Sequence, residues 1–574
     1  MTVHSSRTKW SAPMRANLQR IFGLKRLRPG QEEVIGQIMA GRDTLALMAT
    51  GAGKSLCYQL PATLLPGRTL VVSPLIALMK DQCDKLSAMG VHAVQIHSGQ
   101  FAAERDKAEQ AARDGSAKII MTTPEHLSSG SFIKDISGHL VSLLVIDEAH
   151  CISEWGHDFR PAFLEIGTAL RRLGRPVVLA LTATATEAAV DDVMHQLDLP
   201  QMQVINTGLY RPNLHYAVDM VSSEEAKNAR LLTLLQSLDG QGIVYTSTIK
   251  AAEEVHELIT QAGKTAALYH GRLAAGRRRD SQDAYMSGAA SIMVATQAFG
   301  MGIDKADTRF VVHYQVPSSL ERYYQESGRA GRDGQAARCI LLYLSRDRTI
   351  QQFFLGGRYP TVDDLRAVYA QLAAPSPDPK GWTRETLIDA VKRPKSKVQL
   401  ALHLMIQQEA AHSDKRGHIR LRDASAPSHL DEATLEAMLQ VYEQRKRLDR
   451  DMLETMVFYC QSGQCRWKML LSHFEQADGF QRCEQCDNCL RMRRAEDQAR
   501  LEDEARAQAA AEQPDDESKT PVPRMQVGDA VRVPRYGRGR ISALSGEGVT
   551  VQFPSGPERC FLPEYVRLAR APRA

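Results

Sequence analysis

The sequence predicts an α/β protein built on two tandem lobes, each a parallel sheet, followed by smaller helical and β modules. Three observations predict it. Apolar runs of strand length alternate with helical patterns from about residue 12 to 206, the alternation resumes from about 207 to 350, and only the first block carries a glycine-rich loop. In the first block the runs are Thr44–Met48, Thr69–Val72, Lys118–Met121, Leu143–Ile146 and Val177–Leu181, separated by helical patterns such as Leu75–Met89. Unbroken apolar runs of this length belong to strands buried on both faces, as in a doubly wound parallel sheet. The second block repeats the pattern at Gly242–Tyr245, Ala266–Tyr269, Ser291–Ala295 and Arg309–Tyr314.

The loop is Met-Ala-Thr-Gly-Ala-Gly-Lys-Ser, Met48 to Ser55, with Met48 where the strict phosphate-loop pattern has Gly. Thr50 to Ser55 form its working part. Backbone N–H groups of Gly51, Ala52 and Gly53 suit phosphate, Lys54 suits the terminal phosphates, and Ser55 suits Mg²⁺. Almost a hundred residues on, Leu144 to His150 is a second apolar run ending in Asp-Glu-Ala-His. Asp147 is expected to orient the metal and Glu148 to activate a water, with His150 beside them. The pairing points to hydrolysis of a nucleoside triphosphate such as ATP, in a cleft between the two lobes.

Lobe two contributes Gln325 to Gly334, in which Arg329 and Arg332 stand three apart. That spacing places both on one face of a helical turn. A surface pair held by carboxylates is the ordinary reading of such arginines. The second lobe otherwise lacks a catalytic contribution, which favours Arg332 as a finger on the γ-phosphate, worth about 10³–10⁵ in rate.

Residues 355–435 read as helical, and three helices followed by a turn-containing pair of short strands (Leu365–Leu372, Arg384–Val391, Lys397–Ala411, then His412–Leu421) fit a winged helix. Its cations include Lys392, Arg393, Lys395, Lys397, Lys415 and Arg416; a helical spacer with solvated lysines is the alternative. The cysteines follow. Cys483-x-x-Cys486-x-x-Cys489 has zinc-knuckle spacing, and either Cys460 or Cys465 completes a tetrahedral set of four. No ligand position is left open, so the zinc is expected to be structural. Residues 491–523 turn from Arg/Glu/Ala-rich to Pro/Asp-rich, a solvated helix and then a linker. The last fifty residues carry short strands at Ala530–Val533, Gly539–Leu544, Val549–Phe553 and Cys560–Leu562, a small β-barrel expected to dock as a separate module.

The bulk properties set limits. At 574 residues the chain holds roughly three to five domains. A net charge of +5 permits a polyanionic partner without demanding one. No apolar run is long enough to span a membrane, and no apolar signal region opens the chain. Cys57, Cys83, Cys151 and Cys339 are scattered among core elements, which suits a reducing compartment. A cytoplasmic location is expected, on the nucleoid if the source is bacterial.

These motifs resemble, in order, those of RecQ-family DNA helicases of superfamily 2, over roughly residues 15–350 and the cysteine region to about 490. Phe22 to Gln31 resembles the adenine-recognition motif, which implies that Gln31 reads the base and Arg28 stacks on it; Leu24 stands where an aromatic is often found. Ser73-Pro74-Leu75, Thr122-Thr123-Pro124-Glu125 and Leu181 to Ala185 resemble strand-contact and coupling motifs. Val294-Ala295-Thr296 with Phe299 to Asp304 resembles a motif that touches both DNA and nucleotide. Cys151 to Pro161 resembles the aromatic-rich loop peculiar to the family. Trp155 and Phe159 offer stacking faces worth about 1–3 kcal/mol per base, Arg160 offers a cation, and His157 a link to the nucleotide. The family pattern favours Cys465, followed by Arg466 and Leu470-Leu471, as the fourth zinc ligand.

The resemblance implies two RecA-like lobes, ATP, Mg²⁺ and Zn²⁺ as cofactors, and single-stranded and branched DNA as partners, with a protein partner through the barrel a further expectation. It implies an ATP-dependent helicase moving 3′→5′ on single-stranded DNA in repair and recombination. The alternative is a DNA-stimulated translocase that remodels DNA or protein–DNA complexes without processive unwinding. The expected organisation is lobe one at 1–206, lobe two at 207–354, a helical segment at 355–435, a zinc module at 436–490, a linker at 491–523 and a barrel at 524–574. Two features depart from the family: the inserted 355–435, and a barrel where a winged helix and helical tail domain usually follow the zinc module.

Overall fold

The computed structural model describes residues 12–97, 99–127, 130–153, 161–299, 305–414, 418–422, 432–512, 525–534, 536–545, 548–554 and 556–569. The chain divides into two compact units, residues 1–345 with 456–574, and residues 346–455.

The first unit holds both parallel sheets. The first has seven strands in the order Ala93–Ile96, Ile119–Thr122, Arg68–Val72, Val141–Asp147, Val177–Thr182, Thr44–Leu47 and Gln203–Asn206, all parallel. The run Leu143–Ile146 shows why such strands read as unbroken apolar sequence. Leu144 and Ile146 enter the core on one face, Leu143 and Val145 the core on the other. The second sheet has six parallel strands, in the order Ala266–Tyr269, Ile292–Ala295, Gln241–Tyr245, Thr308–His313, Ala337–Tyr343 and Leu214–Met220. The α/β class with two parallel-sheet lobes is thus observed. Four strands escape the sequence reading, and three of them are sheet edges: Ala93–Ile96, Gln203–Asn206 and Leu214–Met220. An edge strand is only partly covered, so its sequence carries polar residues, as Gln203 and Asn206 do.

The cysteine region packs against the second sheet. Trp467 donates its indole N–H to the Leu214 carbonyl at 3.0 Å, and Asp487 accepts from the Val218 N–H at 2.9 Å. The C-terminal residues form a five-stranded antiparallel sheet around Val531, Ile541, Val551 and Phe561. This sheet is not a loosely tethered module. Phe458 packs against its core, Phe561 pairs with Ser462 as a β-bridge, and the Arg559 guanidinium lies 5.3 Å from the Phe458 ring. The expectation of few contacts across that boundary is corrected: one aromatic cluster spans it.

The second unit contains helices Asp347–Arg358, Val362–Ala373, Arg384–Val391 and Lys395–Gln407, then an antiparallel hairpin of Ala411–Ser413 with Ile419–Leu421. Thr361 and Thr383 each open a helix through a capping box. Leu365, Val368, Trp382, Leu387, Leu402 and Ile419 form its core. Buried Asp364 takes an ion pair from Lys397 at 3.0 Å, so that lysine is engaged within the fold. Lys415 and Arg416 lie outside the described residues. Among the described residues, no helix is long and apolar enough to cross a membrane.

Candidate active site and metal centre

The carboxyl ends of parallel strands meet along one edge of a sheet, and in lobe one this gathers distant segments. Thr44–Leu47 runs into the glycine loop, whose Gly51 and Gly53 hold φ at 85° and 84°, a region that costs glycine no Cβ clash. Gln31 donates its amide to the Gly53 carbonyl at 2.9 Å and accepts from the Arg28 N–H at 2.8 Å. The Arg28 guanidinium donates to the Gly51 carbonyl. Both residues of the expected base-recognition segment are therefore placed on the loop itself.

Asp147 ends the strand Val141–Asp147. Its carboxylate accepts from the Ser73 hydroxyl at 3.2 Å and the Glu148 N–H at 3.1 Å. Burial and neighbouring Glu148 push its carboxyl up to about 6, against the pull of Lys54. Glu148 has φ 52° and ψ 48°, left-handed backbone that is costly for a residue with a side chain. This turn directs its carboxylate to within 3.5 Å of the His150 ring.

A hydrogen-bonded chain then leaves the carboxylates. His150 Nδ1 meets the Thr182 hydroxyl at 3.0 Å, Thr182 donates to the Thr184 carbonyl at 3.2 Å, and the Thr184 hydroxyl accepts from Gln325 at 3.1 Å. Since Thr182 gives its proton to a carbonyl, His150 Nδ1 is the donor in the first link. Gln325 belongs to lobe two, on helix Leu320–Ser327. The chain therefore joins the Asp-Glu-Ala-His turn to the other lobe.

Arg329 and Arg332 lie just past that helix, in a turn rather than within it. Arg332 lies on the glycine loop: a Cβ on Gly51 would stand 3.1 Å from its Cγ. The buried Tyr245 phenol donates to the Phe299 carbonyl at 3.1 Å, and the positive charge of Arg329 opposes the rise that burial imposes on it. Lys54, Ser55, Asp147, Glu148, His150, Gln325, Arg329 and Arg332 line one cleft of about 580 Å³, together with Arg28 and Gln31.

Sequence reasoning missed Arg211. It donates to the Thr50 carbonyl at 3.2 Å, to Gly328 at 2.6 Å, to Ala330 at 2.8 Å and to Gly331 at 2.7 Å. One guanidinium thus pins the glycine loop of lobe one to the arginine turn of lobe two. Its partners are all backbone carbonyls, which leave no mark in sequence.

The remaining site residues fall differently. Ser73, Thr123 and Thr296 are buried at strand ends, Ser73 turned to Asp147 and Thr123 accepting from the His126 N–H at 3.3 Å. Pro74 follows Ser73 on the cleft wall, and Pro124 opens the helix Pro124–Leu127. Trp155, His157, Phe159 and Arg160 lie outside the described residues. The stem before them is anchored by the Ser153 hydroxyl, which donates to Asp192 at 2.7 Å.

Cys465, Cys483, Cys486 and Cys489 are all buried, with their sulfurs within 4.8 Å of one another. Tetrahedral Zn–S bonds of ~2.3 Å need sulfurs about 3.8 Å apart, and Cys483 and Cys489 stand at 3.9 Å. Backbone N–H groups of Arg466, Cys483, Cys486 and Cys489 donate to the sulfurs at 3.3–3.4 Å, an environment made for thiolates. The donor set fits zinc. Cys460 is buried outside this group. Arg466 and Asp487 brace the cluster with two contacts of 2.9 Å.

A glycine loop and carboxylate turn in one parallel lobe, faced by arginines from a second, define the class of two-lobed phosphate-loop proteins. Family models agree: residues 28–193 match the DEAD/DEAH box helicase model, 226–334 the helicase conserved C-terminal domain, and 429–490 the RecQ zinc-binding model. The chain is 33% identical over 482 residues to the probable ATP-dependent DNA helicase RecS of Bacillus subtilis, covering 83% of this chain and 92% of that one. It belongs to the RecQ family of superfamily 2. The ATP-dependent DNA helicase RecQ of B. subtilis is 43% identical over 346 residues, 59% of this chain and 57% of that protein, so the match spans little more than half of that relative. The fold is shared with the Mycobacterium smegmatis helicase Lhr, at a TM-score of 0.51 and 20% identity over 72% of this chain and 61% of that one.

Proposed function

We propose that the protein is an ATP-dependent DNA helicase that moves 3′→5′ along single-stranded DNA and separates the duplex ahead of it, in repair and recombination. The observation that carries this reading is the meeting of Arg332 with the glycine loop while Gln325 bonds Thr184, which Thr182 links to His150. Hydrolysis in lobe one then depends on where lobe two sits, as a motor requires.

In this reading the loop amides and Lys54 hold the β- and γ-phosphates of ATP. Ser55 and Asp147 would hold Mg²⁺, which neutralises phosphate charge when bound. Glu148 orients the attacking water, and Arg332 meets the charge that grows on the γ-phosphate. His150, Thr182, Thr184 and Gln325 transmit the state of that site to lobe two. The strand ends bearing Ser73-Pro74, Thr123-Pro124 and Thr296 border the DNA path, and Trp155, Phe159 and Arg160 supply stacking and a cation. Zn²⁺ on Cys465, Cys483, Cys486 and Cys489 would be structural, and the second unit would grip duplex through its hairpin.

ATP hydrolysis with and without single-stranded DNA tests the reading. Stimulation by DNA is expected, lost in Trp155→Ala with basal hydrolysis and melting temperature retained. Equal turnover with and without DNA would refute it.

A further inference from the structure

The C-terminal sheet carries a charge pattern that its own fold does not balance. Arg532 stands directly opposite Arg538 on one neighbouring strand and directly opposite Arg567 on the other. Directly opposed residues of antiparallel strands share a face, so three guanidinium groups line up across three adjacent strands. Arg540 follows on that face one rung along, opposite Ala530. All four are exposed, while Val531, Val533, Gly539 and Ile541 between them are buried. Like charges placed opposite one another oppose strand pairing. Among the described residues no carboxylate pairs with any of the four; the polar contact of Arg540 is to the Gly528 carbonyl at 3.4 Å. The row is a cost to the sheet that a bound polyanion removes.

The row is also firmly mounted. Phe561 of the same sheet bridges to Ser462 and packs on Phe458, so the arginines are fixed relative to the segment 458–462 that leads into the cysteine cluster. With strands ~4.8 Å apart, the row spans roughly 10 Å. A nucleic-acid strand presents a phosphate every ~3.4 Å of duplex axis, so the row covers a few of them. Guanidinium groups match phosphate in a two-pronged geometry. The described residues of this face include no aromatic of the kind that anchors protein interfaces.

We propose that Arg532, Arg538 and Arg567 form a backbone-binding surface for DNA, outside the two lobes. This rests on the reading of the chain as a DNA motor. The surface contacts phosphate alone, and so adds affinity without sequence preference.

Equilibrium binding of the full chain to a fluorescent tailed duplex, measured across salt concentrations, tests it. Replacing all three arginines with Gln is expected to lower the slope of log K against log salt by about 2.7, from ~0.9 per lost phosphate contact. Arg532→Gln alone should lower it by about 0.9, and Lys at the three positions should keep it. Melting at or above the original temperature shows that the sheet survives. An unchanged slope in the triple variant overturns the proposal. So does loss of poly-glutamate binding with DNA binding intact, which assigns the row to an acidic protein. Single-strand-stimulated hydrolysis on the unsubstituted protein reports separately on the motor reading.

Discussion

In the proposed reaction, Arg332 and Asp147 each make a distinct demand on the nucleotide. Arg332→Ala should cut turnover by about 10³ or more while leaving ATP affinity nearly unchanged, since its charge matters most as the γ-phosphate departs. Single-turnover kinetics beside nucleotide binding checks this, and near-normal turnover would remove the finger from the account. Burial and neighbouring Glu148 raise the Asp147 carboxyl to about 6. Below that pH it is protonated and a poorer metal ligand, so Mg²⁺-dependent ATP binding should weaken as pH falls through about 6. The step should vanish in Asp147→Asn; the same step in that variant would assign it elsewhere. At this scale the sequence was readable wherever chemistry sits in one contiguous stretch, as in Thr50–Ser55 and Asp147–His150. It was silent on Arg211, which binds carbonyls of Thr50 and Gly328, 161 and 117 residues away. The route from His150 to Gln325 was equally hidden, because it forms only when strand ends and two lobes meet.

Among elements, the pair that braces the cysteine cluster is the most exacting. Burial on its own would raise the Asp487 carboxyl, yet the Arg466 guanidinium holds it below the usual carboxylate range. Asp487→Ala leaves Arg466 buried without its countercharge, at a cost of about 3–5 kcal/mol. A thermal melt should show it, and an unchanged melting temperature would mean that the pair is replaceable. Metal analysis should find one Zn²⁺ per chain, lost in Cys486→Ser and kept in Cys460→Ser. Zinc loss on replacing Cys460 alone would contradict the ligand set. Short fixed spacings made three of these cysteines legible, whereas the choice between Cys460 and Cys465 depended on how a helix enters the cluster. Most central strands were legible for the same kind of reason, being apolar on both faces. The edge strand Gln203–Asn206 was not, because Gln203, Val204 and Asn206 are exposed and only Ile205 is buried.

Across the whole molecule, the C-terminal sheet is where local signals misled. A Pro/Asp-rich stretch before residue 524 reads as a tether, but nothing in it announces that Phe458 completes the barrel core. Phe561→Ala should therefore destabilise more than the barrel, costing about 3–5 kcal/mol and increasing hydrogen exchange in 456–462. Protection unchanged in that stretch would restore the picture of a free module. The central claim concerns work done on DNA, and strand separation is its most direct measure. With ATP, the protein should unwind a duplex bearing a 3′ single-stranded tail and leave a 5′-tailed duplex intact, and Glu148→Gln should abolish the reaction while still binding ATP. DNA-stimulated hydrolysis with no strand separation on either substrate would contradict the claim.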